Sequence, residues 1–189
     1  MAPVFLVVYL SPRFFPSLLE NRVAWTVPVL WVIFIVSEIT DYFDGLAARK
    51  LNMTTDFGKL FDPFADTIIQ ITCFLCFIID RLWGNYLIPV ILFLLVIYRE
   101  FSILFLRNLM LKKGITLSAS IYGKIKTVAY IIAVGAALFA VSLERLAILS
   151  SFLPYARTGS LIIFAISVGI ALFSFFDYLS QYKKTESQK

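Results

Sequence analysis

The sequence predicts an all-α, polytopic bundle of membrane-spanning helices, and three observations support this fold class. Hydrophobic residues make up 60% of the 189 residues and charged residues only 15%, with a mean hydropathy of +0.88. The apolar residues form runs of the length that crosses hydrocarbon about 30 Å thick, which takes about 20 residues in a helix. The connections between runs are short, so neighbouring helices are expected to pack antiparallel in a single domain, 1–189.

Six transmembrane helices are expected along the chain, and the first of them is short or incomplete. The first run covers 2–19 and is interrupted by Ser11, Pro12 and Pro16. Because its apolar part is short, this run either lies at the membrane interface or is the end of a longer helix. The other five runs cover 23–48, 60–80, 85–111, 119–143 and 159–181.

The distribution of lysine and arginine predicts how the bundle is oriented. One side of the predicted bundle carries Arg49, Lys50, Lys59, Arg107, Lys112, Lys113, Lys124, Lys126, Lys183, Lys184 and Lys189. The other side carries Arg13, Arg22, Arg81, Arg145 and Arg157. By the positive-inside rule the first side faces the cytoplasm. The net charge of +5 therefore indicates a membrane face, and no nucleic-acid partner is expected.

The residues available for chemistry are restricted. The chain has no histidine, so a general base has to be a carboxylate, a lysine, a tyrosine or a cysteine. Cys73 and Cys76 form a CxxC, but the surrounding ITCFLCFII is continuous apolar helix without the polar loops of a redox or zinc site. We interpret the two cysteines as packed or lipid-embedded side chains.

Charged residues interrupt the apolar pattern in one stretch, DYFDGLAARKLNMTTDFGKLFDPFAD at 41–66. At about 100° per residue, Asp41 and Asp44 share a face of one helix, and Asp62 and Asp66 share a face of the next. Four convergent carboxylates cannot all stay ionised unless cations lie between them. Oxygen-only ligands suit Mg²⁺ or Mn²⁺, so the stretch predicts a phosphoryl-transfer site with one or two metal ions.

This stretch resembles the signature of the CDP-alcohol phosphotransferases, integral membrane enzymes that join a CDP-linked group to an alcohol and release CMP. The matching pattern is Asp41-x2-Asp44-Gly45-x2-Ala48-Arg49-x8-Gly58-x3-Asp62-x3-Asp66. The similarity extends from residue 23 to the carboxyl end. The features that look like the phosphatidylglycerophosphate synthase branch are DPFAD, Tyr98-Arg99-Glu100, Arg107 and Gly123-Lys124-x-Lys126-Thr127.

The resemblance implies a role for each matched residue. Asp66 is expected to bind metal and also to accept the proton of the acceptor hydroxyl, as the catalytic base. Gly58 is expected to permit close approach of the cytidine. The ligands implied for two Mg²⁺ or Mn²⁺ ions are Asp41, Asp44, Asp62 and Asp66. The other contacts implied for CDP-diacylglycerol are Gly45, Arg49 and Thr55.

Four basic residues of two later helices predict where an anionic acceptor binds: Arg99, Arg107, Lys124 and Lys126. A basic group within a membrane span needs an anion, and sn-glycerol 3-phosphate would supply one. The alternative for Arg99 is an internal pair with Glu100 or with a site aspartate. Residues two apart diverge by about 200° around a helix. Only one of the two lysines is therefore expected to face the site, while the other reaches lipid headgroups.

The expected reaction transfers the phosphatidyl group from CDP-diacylglycerol to sn-glycerol 3-phosphate and releases CMP. Alternative acceptors within the family are inositol phosphate, serine and phosphatidylglycerol, and a cation transporter is the alternative outside it. The family suggests a homodimer in membrane lipid, with its site facing the cytoplasm. A bacterial cytoplasmic membrane is preferred to a mitochondrial inner membrane. Asp177 and Tyr178, near the end of the last helix, are expected to lie at the membrane interface.

Overall fold

A computed structural model of the chain describes residues 1–14, 23–51, 56–79, 87–112 and 121–186. Side chains are described for 1–12, 24–40, 43, 64–79, 87–110 and 121–183. Within these residues the α-helices are α1 (Ala2–Phe14), α2 (Thr26–Leu51), α3 (Asp56–Ile79), α4 (Val90–Lys112), α5 (Ile121–Arg145) and α6 (Leu153–Glu186). A 3₁₀ turn, Val23–Trp25, precedes α2. The described residues contain no strand, so the all-α prediction is confirmed.

Two of the described helices are long and apolar enough to cross a membrane, judged by length and composition. They are α5, with 25 residues, and α6, with 31 residues from Leu153 to Lys183. The helix α4 includes Arg99, Glu100 and Arg107 among its apolar residues. Shorter apolar stretches occur at Ala2–Pro12, Thr26–Thr40 and Phe64–Ile79. The prediction of six membrane-spanning helices therefore stays a prediction for the other four.

The helices α5 and α6 form the most extensive helix pair in the described part of the chain. Small residues are buried on both of them. Small side chains let helix backbones approach closely, which increases van der Waals contact where lipid supplies little driving force for association. These buried small residues are Ala133, Ala137 and Ala140 on α5, and Ser160, Ser167, Ala171 and Ser174 on α6.

The turn after α5 closes with a pair of backbone hydrogen bonds. The amide of Ile148 donates to the carbonyl of Leu143 at 3.1 Å, and the amide of Ala147 donates to the carbonyl of Glu144 at 3.0 Å. This pairing is a Schellman motif, in which the residue after the helix end adopts a left-handed conformation. Ala147 does so, with φ of 52°. The short turn reverses the chain, so the start of α5 lies beside the end of α6.

Aromatic residues connect three helices at the centre of the bundle. Phe74 of α3 makes edge contacts with Tyr130 of α5, at a centroid distance of 5.3 Å, and with Phe164 of α6, at 4.8 Å. All three side chains are buried. Edge-to-face aromatic pairs are worth about 0.5–1.5 kcal/mol beyond the area that they bury. The contacts fix α3 against the α5 and α6 pair.

The first helix is part of the same core. Phe5 and Tyr9 of α1 are buried, and the ring of Tyr9 meets the edge of Phe77 of α3 at 5.6 Å. The helix α1 packs against α2 and α3. Whether it lies at the membrane interface or is the end of a longer helix stays a prediction. Cys73 and Cys76 are free and buried in α3, so their interpretation as packed side chains is confirmed.

Candidate active site

A cavity of about 260 Å³ lies among α3, α4, α5 and α6. Its described lining residues come from the middle of α3, the middle and second half of α4, the beginning of α5 and the end of α6. Among the described residues, four basic and two acidic side chains line it, and this excess of positive charge favours anionic ligands. The predicted site residues that the structure brings together here are Asp66, Arg99, Arg107, Lys124 and Lys126.

Three buried charged residues, Arg99, Glu100 and Lys126, form what we call the inner layer of the cavity. Arg99 Nη1 donates to Glu100 Oε1 at 2.8 Å, and Lys126 Nζ donates to the same oxygen at 3.0 Å. Removing one member of a buried ion pair costs about 3–5 kcal/mol, because the partner charge is left uncompensated. The internal pair with Glu100, left open as an alternative for Arg99, is therefore what the structure shows.

The two cations of the inner layer also connect other helices. Arg99 of α4 donates from Nε to the carbonyl of Ala171 at 3.2 Å and from Nη2 to Ser174 Oγ at 3.0 Å, both on α6. Lys126 of α5 donates to Gln70 Oε1 of α3 at 3.4 Å. The inner layer is thus committed to bonds within the protein, and it joins all four helices around the cavity.

Arg107, Lys124 and Asp66 form the outer layer of the cavity. Arg107 is half-buried, and its Nη2 donates to Tyr178 Oη at 3.0 Å. Lys124 and Asp66 are exposed. Within the described part of the chain, neither Arg107 nor Lys124 has a carboxylate at ion-pair distance. Among the described residues, the inner cations thus share one carboxylate, Glu100, whereas the outer cations pair with none.

Two expectations about this region can be compared with the structure. Both Lys124 and Lys126 line the cavity, so the prediction that only one of them would face it is wrong. They do differ in burial, since Lys126 is 8% exposed and Lys124 is exposed. Tyr178 is 3% exposed and lines the cavity, while its predicted place at the membrane interface stays a prediction.

Sequence reasoning missed Tyr178, although α6 carries a signal that points to it. Small or polar residues recur at helical spacing along one face of an otherwise apolar helix, and this face is buried. Such a stripe indicates the side of a membrane helix that packs against protein. The stripe consists of Ser160, Ser167, Ala171, Ser174 and Tyr178.

The remaining predicted site residues have side chains outside the described ones. Thr55 lies outside the described residues altogether. The backbones of the others belong to the second half of α2 and the first half of α3, and only five Cα steps, at most about 18 Å, separate those helices. These residues are Asp41, Asp44, Gly45, Arg49, Gly58 and Asp62.

The predicted metal ligands suit a hard divalent cation by their chemistry. All four are carboxylates, and oxygen ligands are those that Mg²⁺ and Mn²⁺ prefer. Among the described side chains no three acids, cysteines or histidines converge, since Asp66 alone of the four predicted ligands is described. Asp66 lines the cavity that holds the outer cations. The acid that ends the motif and the basic residues of α4 and α5 therefore share one space.

Comparison with known proteins places this arrangement in a family. The pattern of the CDP-alcohol phosphatidyltransferase family matches residues 1–173, which is most of the chain. The chain therefore belongs to that family.

Individual relatives carry more specific names. A protein of Treponema pallidum named CDP-diacylglycerol–glycerol-3-phosphate 3-phosphatidyltransferase is 36% identical over 187 residues, which cover 95% of this chain and 82% of the relative. A Bacillus subtilis protein of the same name is 35% identical over 73% of this chain and 70% of its own length. A Mycobacterium tuberculosis protein named probable phosphatidylglycerophosphate synthase is 37% identical over 57% of this chain and 48% of its own.

Proposed function

We propose that the chain transfers the phosphatidyl group of CDP-diacylglycerol to sn-glycerol 3-phosphate, giving phosphatidylglycerophosphate and CMP in phospholipid biosynthesis. Membership of the CDP-alcohol phosphatidyltransferase family and the names of its relatives support this reaction. The observation that carries the choice of acceptor is the outer layer of the cavity. There Asp66 lies in one space with two cations that have no carboxylate partner among the described residues.

Arg107 and Lys124 are the residues that bind the phosphate of the acceptor in this proposal. A half-buried guanidinium without a counter-ion is unfavourable unless an anion joins it, and Arg–phosphate hydrogen bonds are among the strongest in proteins. Lys124 adds a second positive charge beside the same cavity. Arg99 and Lys126 contribute by holding the wall of the cavity, because Glu100 accepts from both of them.

The donor is assigned to the motif of α2 and α3. Asp41, Asp44, Asp62 and Asp66 would hold two divalent cations, Mg²⁺ or Mn²⁺, which when bound supply positive charge against the diphosphate of the donor. The residues proposed to contact the cytidine and the diphosphate are Gly45, Arg49, Thr55 and Gly58. Arg49 would neutralise phosphate charge, and the two glycines leave room for the nucleotide.

Asp66 is the general base of the proposed reaction. It takes the proton of the acceptor hydroxyl, and the acceptor oxygen then forms a bond to the phosphorus on the lipid side of the diphosphate. The bond from that phosphorus to the CMP oxygen breaks, and CMP leaves. The chain has no histidine, so a carboxylate at the cavity is the group suited to this step.

The proposed setting is a bacterial cytoplasmic membrane, with the cavity open to the cytoplasm. Two helices of membrane-crossing length and relatives from bacteria support the membrane setting. The excess of lysine and arginine on the side of Lys124 supports the orientation, by the positive-inside rule. Within the membrane we propose a homodimer, as the family suggests.

Acceptor competition tests the proposed function directly. Purified protein is given CDP-diacylglycerol and, separately, glycerol 3-phosphate, inositol phosphate, serine or phosphatidylglycerol, and the released CMP is measured. We expect CMP release that depends on glycerol 3-phosphate, with an equal amount of phosphatidylglycerophosphate. Release that depends on serine, which has no phosphate, would contradict the role of the outer cations, and release that depends on phosphatidylglycerol would change the acceptor. Release with inositol phosphate alone would keep that role and change the acceptor.

A further inference from the structure

Tyr178 of α6 contacts the guanidinium of Arg107 in two ways. Its hydroxyl oxygen accepts a hydrogen bond from Arg107 Nη2 at 3.0 Å. Its ring centroid lies 5.6 Å from Arg107 Cζ, within the range of a cation–π contact. Two contacts of different geometry restrict both the position and the tilt of the guanidinium plane.

The phenol itself is held by its surroundings. Tyr178 is 3% exposed, although it lies only eight residues before the end of α6 at Glu186. At the start of α5, a Cβ built on Gly123 would lie 3.4 Å from Tyr178 Oη and 3.7 Å from its Cε2, so the phenol packs closely over this glycine. The ring is therefore fixed between α4 and α5 before any ligand binds.

The hydroxyl of Tyr178 has hydrogen-bonding capacity left over. A phenol can accept and donate, and this one accepts from Arg107. Among the described residues it donates to none. Arg107 likewise makes no other hydrogen bond to a described residue, so most of its N–H groups remain for a ligand in the cavity. A neutral partner orients the cation without neutralising it, which an aspartate or glutamate in this place would do.

We propose that Tyr178 is a positioning residue that orients Arg107 toward the phosphate of the acceptor. This inference rests on the proposed function, which identifies that phosphate as belonging to glycerol 3-phosphate. It assigns to the last helix a part in acceptor binding that the motif of α2 and α3 does not contain. Pre-ordering the guanidinium lowers the entropy lost on binding, so the effect should be on acceptor affinity more than on turnover.

The substitution Tyr178→Phe removes the hydroxyl and keeps the ring. We expect the KM for glycerol 3-phosphate to rise about three- to tenfold, which is less than the full worth of a hydrogen bond to a charged group, because the ring contact with Arg107 remains. The kcat and the KM for CDP-diacylglycerol should stay within about twofold of wild type. The matched control is Tyr155→Phe, on the same helix, since Tyr155 is 72% exposed and lies near the turn between α5 and α6.

A double-mutant cycle separates positioning from a structural role. If Tyr178 acts through Arg107, Tyr178→Phe should change the acceptor KM by less than about twofold in an Arg107→Ala background, because contacting residues are not additive. An equal increase in both backgrounds would overturn the proposal. A fall in kcat or in thermal stability with an unchanged acceptor KM would overturn it as well, since the hydroxyl would then serve the fold.

Inorganic phosphate keeps this test separate from the test of the proposed function. If wild-type protein releases no CMP with glycerol 3-phosphate, the proposed function is wrong, and the cycle is repeated as phosphate-dependent thermal stabilisation of the purified protein. Two results together would then support the positioning role. Tyr178→Phe alone should bind phosphate more weakly than wild type, and adding Tyr178→Phe to Arg107→Ala should cause no further loss of phosphate binding. Absence of phosphate binding by wild-type protein in that experiment would overturn it.

Discussion

Arginines lie near both ends of the α5 and α6 pair, but their partners differ. At the turn end, Arg145 donates to Thr26 Oγ1 at 2.8 Å and to the carbonyl of Tyr9 at 2.9 Å, so it joins α5 to α2 and α1. Arg157 of α6 pairs with Glu144 of α5 at 3.2 Å. At the cavity end, the partner of Arg107 within the described residues is a neutral phenol.

This difference shows that the role of an arginine is indicated by the groups it contacts and not by its residue type alone. An arginine whose donors are bonded to protein oxygens stabilises the packing of its helices, and its loss should lower the free energy of unfolding. An arginine that lines a cavity without a carboxylate is available to an anionic ligand, and its loss should change substrate affinity. Substitutions at the two ends should therefore have different measurable effects.

The largest effect is expected for the four acids that we propose as metal ligands. We expect CMP release to stop in EDTA and to return with Mg²⁺ or Mn²⁺, and we expect Asp62→Asn to abolish activity by removing a carboxylate ligand. The protein should still insert and remain folded, as judged by its yield and thermal unfolding in detergent. Undiminished turnover in EDTA would rule out the metal interpretation of the four acids.

The next effect concerns the proposed base. Asp66→Asn keeps the shape of the side chain and removes its capacity to take a proton, so kcat should fall by about 10²–10⁴, the usual worth of general base catalysis. Binding of CDP-diacylglycerol should stay near normal, whereas Asp41→Asn should impair both binding and turnover. If Asp66→Asn retained more than about a tenth of the wild-type kcat, the base would have to be another group.

At the turn end, Arg145→Ala should lower stability without affecting acceptor affinity. The substitution removes two charge-assisted hydrogen bonds and the contact of Arg145 Cζ with the Tyr9 ring at 4.6 Å. Loss of such bonds is worth about 1.5–3 kcal/mol, measured as a lower midpoint of thermal unfolding in detergent. A raised KM for glycerol 3-phosphate in the folded fraction would show that the two ends are not independent.

The smallest predicted effect is a gain at the same turn. Ala147 adopts a left-handed conformation, which glycine tolerates without a steric penalty. Relief of about 1–2 kcal/mol is partly offset by the greater freedom of glycine in the unfolded chain, so Ala147→Gly should stabilise by about 0.5 kcal/mol. The control is Ala140→Gly in the interior of α5, which should destabilise by about 1 kcal/mol. If the two substitutions changed the free energy of unfolding by the same amount, the result would argue against the Schellman motif at Ala147.

Much of the fold follows from the sequence. Long apolar runs interrupted by charges and short connections predicted helices at positions within a few residues of those observed for α2 to α5. The rotation of α6 about its axis was not predictable from hydrophobicity, because the helix is apolar on nearly all sides, and only its stripe of small and polar residues indicates the buried face. For that reason the burial of Tyr178 could not be read from its position near the helix end.

The candidate site was predictable in its chemistry and less so in its pairings. The acids and the basic residues were found because charges among apolar residues stand out. The pairings depend on contacts between helices that are far apart in sequence. Arg99 and Lys126 share Glu100, whereas Arg107 and Lys124 have no carboxylate partner among the described residues. Spacing along one helix carries no information about such contacts.

The KM for glycerol 3-phosphate tests the central claim most directly, measured for Arg107→Ala and Lys124→Ala beside Arg145→Ala. A charge-assisted contact to phosphate is worth about 1.5–3 kcal/mol, so each cavity-end substitution should raise the acceptor KM about ten- to a hundredfold. The KM for CDP-diacylglycerol should stay near the wild-type value, and Arg145→Ala should leave the acceptor KM unchanged. A normal acceptor KM in both cavity-end variants would contradict the account and place the acceptor elsewhere.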